Sequence, residues 1–125
     1  MKKQTARILL SALALSALAA CGSNSKGLSY QTNIKPMLDA NCVSCHVPGG
    51  AGYEQSGLRL DSYDAMMKGT KFGAVVVPGS SVSSTLYRLV SGQADPSIRM
   101  PHGQAALPDA DVAMVAAWID QGAKY

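Results

Sequence analysis

From residue 29 onward, apolar side chains recur at helical spacing in four short stretches, and nowhere do they alternate long enough to make a strand. In the first stretch Tyr30, Ile34, Met37 and Leu38 fall at i, i+4, i+7 and i+8. Pro36 suits a first helical turn, which makes Asn33 one candidate cap; the other is Ser29, capping a longer helix that bends at the proline. The second stretch, 61–68, has Asp61 as an N-cap, Asp64 in its first turn and Gly69 as its stop. The third, 83–90, draws an apolar stripe from Val82, Leu86, Leu89 and Val90 and ends at Gly92. The fourth, 108–121, is the most regular. Pro108 suits N1, Asp109 and Asp111 complement the positive end of the helix dipole, and Gly122 follows as a stop. Val112, Val115, Ala116 and Ile119 line one face of it, with Trp118 beside them.

Gly- and Pro-rich loops, 47–57, 69–81 and 92–107, separate these helices. Four short helices and loops of that length bury little surface against one another. The pattern therefore predicts an all-α domain wrapped around something other than its own side chains.

Residues 1–20 read differently. Lys2, Lys3 and Arg7 form a positive head, and 8–20 is apolar apart from Ser11 and Ser16. Those 13 residues are too few to span a bilayer, which takes about 20, and they fit the apolar part of a secretory signal. The run ends Leu18-Ala19-Ala20-Cys21-Gly22, which resembles the lipobox of bacterial lipoproteins. That resemblance implies removal of 1–20 and acylation of Cys21, followed by a flexible tether over 21–28 and a domain over 29–125. The alternative is a plain signal cleaved near Ala20, leaving a spare thiol. Gly22 in place of Asp directs such lipoproteins to the outer rather than the inner membrane, in the periplasm.

Processing also changes the charge. The chain has 11 Lys and Arg against 8 Asp and Glu; taking away the three basic residues of the leader leaves eight of each. A neutral mature chain gives no reason to expect nucleic acid or electrostatic adhesion to a membrane.

The chemistry lies in Cys42-Val43-Ser44-Cys45-His46. A thioredoxin-type pair also has this cysteine spacing, but it expects a strand before the motif and a helix opening on it. A zinc site is a second alternative, with His102 as fourth ligand beside Cys42, Cys45 and His46. The reading that accounts for all three residues is covalent c-type haem attachment. Two thiols three apart on a tight turn reach the two vinyl groups of one porphyrin, and the next residue comes beneath the iron, where imidazole is a suitable ligand. One haem c would also supply the missing interior.

With this motif after a first helix, Met100-Pro101 in a late loop, and Trp118 on a final helix, residues 29–124 resemble the class I c-type cytochromes. The stretches Gly57-Leu58-Arg59-Leu60-Asp61-Ser62-Tyr63 and Val77-Pro78-Gly79, followed by Leu86-Tyr87, are similar to small single-haem modules of bacterial periplasmic proteins. The resemblance implies Met100 as the distal iron ligand, with His102, two residues on, as its rival. Met37, Met66, Met67 and Met114 read as core filler. Arg59 is a candidate partner for a haem propionate or a solvated surface arginine, and Pro48 a candidate acceptor for the outer nitrogen of His46. The function implied is a monomeric electron carrier, not an enzyme, meeting membrane-associated redox proteins transiently. The alternative is a five-coordinate haem sensor or the cytochrome subunit of a larger oxidoreductase complex.

Overall fold

The computed structural model describes residues 27–125. The leader, Cys21 and most of the tether lie outside them. Among the described residues there are five α-helices and no strand; the one β-bridge, Thr70 with Gly73, closes a turn.

A π-helical turn, Tyr30–Ile34, runs straight into α1, Lys35–Asn41. Ser29 is the cap: its Oγ accepts from the Thr32 N–H at 3.2 Å, and the Asn33 Oδ1 reaches back to accept from the Ser29 N–H at 3.0 Å. Of the two starts open to the sequence, the longer one forms. The wide turn has a local cause. Pro36 has no N–H to give the turn before it, and the Lys35 N–H bonds to the Tyr30 carbonyl, five residues back.

Helix α2, Ala51–Ser56, lies inside a stretch that the apolar pattern leaves as loop. It buries no side chain, so there is no stripe to read. Helix α3, Tyr63–Lys68, is capped by Ser62, whose Oγ accepts from Ala65 N, and not by Asp61. Both residue types cap well; here Asp61 is taken by an ion pair with Arg59. Helix α4, Thr85–Val90, buries Leu86 and Val90, but Val82 is 71% exposed and belongs to no stripe, because the helix starts three residues after it.

Helix α5, Asp109–Asp120, buries Val115, Trp118 and Ile119. It ends in a Schellman turn: Gly122 N bonds Ile119 O and Ala123 N bonds Trp118 O, with Gly122 at φ +100°. The π turn and α4 both pack against α5. The Lys124 carbonyl joins the two ends of the domain, accepting from Tyr30 N at 2.9 Å and from the Trp118 indole N–H at 2.8 Å. Leu28, at the end of the expected tether, also packs against this core.

The loop between α3 and α4 is held by polar contacts. Asp120 accepts from Ser81 N at 2.7 Å and Ser81 Oγ at 3.0 Å, and buried Ser84 accepts from Val77 N while donating to Ser80 O.

Candidate haem-attachment site

The motif begins where α1 stops. The Leu38 carbonyl accepts from both Cys42 N and Val43 N, and the Cys42 carbonyl accepts from Cys45 N at 3.2 Å and His46 N at 3.1 Å. One tight turn thus carries both cysteines and the histidine. Cys42 is half-buried, Cys45 is exposed, and neither thiol is in a disulfide. Burial, with Cys45 alongside, pushes the Cys42 thiol up to about 11. A thiol-exchange nucleophile needs the opposite shift, and Cys42 sits at a helix C-terminus, where the dipole disfavours a thiolate. The thioredoxin-type reading fails on both counts.

His46 is 8% exposed. Its backbone carbonyl accepts from Leu60 N at 2.9 Å, and its ring Nδ1 faces the Leu58 carbonyl at 3.4 Å. A carbonyl can only accept, so this contact puts the proton on Nδ1 and leaves the Nε2 lone pair free. Burial lowers the proton affinity of the ring, opposed in part by the Leu58 carbonyl. The result is a neutral imidazole with Nε2 available, the state a metal ligand requires. The acceptor is Leu58, not Pro48. A backbone carbonyl twelve positions on leaves no mark in the sequence, so proximity along the chain pointed to the wrong residue.

Helix α2 presses on this turn through Gly50 and Gly52. A Cβ at Gly50 would lie 2.5 Å from the Cys45 carbonyl oxygen, and one at Gly52 would lie 2.7 Å from Cε1 of the His46 ring. Tyr53 N also bonds Cys45 O at 3.0 Å.

Met100 lies in the loop before α5, half-buried against the core, with its N–H bonded to Leu89 O at 3.2 Å. His102 is exposed on the same loop. Met37 and Met66 are buried, and Met67 and Met114 pack partly against the core. Among the described residues no three His, Cys, Asp or Glu side chains converge as a metal-binding group. A zinc site of Cys42, Cys45, His46 and His102 therefore has no assembled donor set. Arg59 is bidentate to Asp61, at 3.2 Å through Nε and 2.6 Å through Nη2, and holds that carboxyl below its usual range.

Two unpaired thiols and a buried imidazole with Nε2 free thus share one turn. A model of the family described as Planctomycete cytochrome C matches residues 42–103, from the first cysteine of the motif to just past Met100. No curated protein and no solved structure matches the chain. The match and the helical architecture define an all-α, cytochrome c-like domain. Haem c is the cofactor it implies, and haem-based electron transfer the class of function.

Proposed function

We propose that this is a single-haem electron carrier of the periplasm, tethered through an acylated Cys21 to the outer membrane, passing electrons between membrane-associated redox proteins as a monomer. Cys42 and Cys45 would hold the haem through thioethers, and His46 and Met100 would offer its iron an imidazole Nε2 and a thioether sulfur. When bound, the haem would supply one-electron redox chemistry. The chain's own work is to hold and orient. The Leu58 carbonyl fixes the imidazole tautomer, and the bond from Met100 N to Leu89 O ties the methionine loop to α4. Two ligand side chains held in this way by the fold would leave little to rearrange on electron transfer.

The observation that carries the reading is His46, buried and neutral with only Nε2 free, on the same turn as two unpaired thiols. The test is expression with a cytochrome maturation system, followed by alkaline pyridine spectra. We expect haem that resists acid–organic extraction and a spectrum of a two-thioether haem; colourless protein with both thiols open to alkylation refutes the reading. In the same preparation, wild-type ferrous protein should be nearly indifferent to carbon monoxide. Met100→Ala should bind it and lose the weak far-red band of the ferric form, whereas His102→Ala should do neither. The reverse pattern would assign the distal position to His102.

A further inference from the structure

We propose that Gly52 is the positioning residue for the His46 imidazole, fixing the plane of the ring by offering it a bare backbone to lie on. The proposal rests on His46 being the haem ligand; the contact itself is visible in the chain alone. A Cβ built on Gly52 would sit 2.7 Å from Cε1, 2.8 Å from Nε2 and 3.0 Å from Nδ1 of that ring. Near-equal distances to three adjacent ring atoms place it over the face. An approach in the ring plane, along the Cε1–H direction, would leave both nitrogens clearly farther away than Cε1. The α-hydrogen that stands in place of that Cβ therefore points at the face of the imidazole.

That contact supplies what the Leu58 carbonyl cannot. One hydrogen bond at 3.4 Å is long, and it constrains a single edge of the ring. A ring held only there can still rock about the Nδ1···O line. A second contact on the face stops this motion, so edge and face together set both tautomer and plane. At neighbouring Gly50 a Cβ would instead meet the Cys45 backbone, 2.5 Å from its carbonyl oxygen and 2.8 Å from its carbonyl carbon.

The two glycines respond differently to substitution. At Gly50 the obstacle is backbone, and a methyl group would have to displace the motif. At Gly52 the obstacle is the end of a side chain, which can move. Gly52→Ala should fold, attach haem and carry a displaced imidazole. Helix propensity alone makes the opposite forecast, because Ala in α2 is intrinsically better than Gly and should firm the helix without touching the ring.

The experiment uses the haem-loaded chain. In the diamagnetic ferrous wild type, proton NMR should show cross-relaxation between the Gly52 α-protons and the His46 ring protons. In the ferric state, Gly52→Ala should shift the electron paramagnetic resonance g values and reorder the haem methyl resonances, while Ala51→Ser on the exposed side of the same turn should leave both as in wild type. Wild-type haem protein without that cross-relaxation, or a Gly52→Ala spectrum identical to wild type, overturns the role of Gly52. If Gly52→Ala fails to fold, the wild-type cross-relaxation still decides. Wild-type chain that attaches no haem refutes the cytochrome reading instead, and the same NMR contact, measured on that protein, decides whether Gly52 seats the ring.

Discussion

His46 shows how one buried side chain couples the site to pH. Burial lowers its proton affinity in the folded chain, so the unfolded chain, with an ordinary histidine near pKa 6.5, binds more protons in the window below that value. Stability from this group is complete above about pH 6.5 and falls as pH drops through the unfolded value toward the lower folded one. Iron on Nε2 would add to the effect, because a metal competes with the same proton. We expect the urea midpoint of the haem-free chain to fall between about pH 7.5 and about pH 5.5, and His46→Gln to flatten that slope. An unchanged slope in the variant would mean that other groups carry the pH dependence. Asp61 does not confuse the result: Arg59 holds it below the usual carboxylate range, so it titrates under the window tested.

At the scale of an element, capping separates what α3 uses from what its sequence offers. Asp61 and Ser62 are adjacent, and either type is a good N-cap. Ser62 has the extended backbone of a cap, φ −148° and ψ 156°, and its hydroxyl oxygen accepts from Ala65 N. Ser62→Ala should therefore cost about 1 kcal/mol in chemical denaturation. Asp61→Ala removes only an exposed ion pair and should change stability little. Equal losses would show that Asp61 shares the cap. The contrast marks what could be read from the sequence. The CVSCH turn was legible because its chemistry depends on residue types at fixed local spacing, and α5 because a buried stripe repeats along it. Helix α2 was not, since it docks through Gly50 and Gly52 and buries no side chain. The Leu58 acceptor was not, since any residue has a carbonyl. Val82 misled because an apolar type at the right spacing stands before the helix begins.

The whole molecule is closed by its last residues, which act through backbone carbonyls. Lys124 O accepts from Tyr30 N and the Trp118 indole, and Ala123 O accepts from the Tyr63 hydroxyl at 2.9 Å. These three donors come from the first turn, α3 and α5, so two consecutive peptide groups bind the separate helices together around the same aromatic side chains. Tyr30 lies 5.4 Å from Tyr63 and 6.4 Å from Trp118, centre to centre, and both Tyr30 and Trp118 are fully buried. A donor left without an acceptor there costs about 1–3 kcal/mol. Tyr125 contributes differently: its ring stacks on Tyr30 at 6.1 Å but is 68% exposed. Deleting residue 125 alone keeps both carbonyl positions and should lower the melting temperature modestly. Deleting 123–125 strands the indole, the Tyr63 hydroxyl and the Tyr30 amide together, and should cost several kcal/mol, on the order of the whole margin of a domain this small. Thermal unfolding of the two truncations in the haem-loaded protein separates the cases. If both melt alike, the aromatic stack and not the pair of carbonyls is what joins the π-helical turn to the residues after α5.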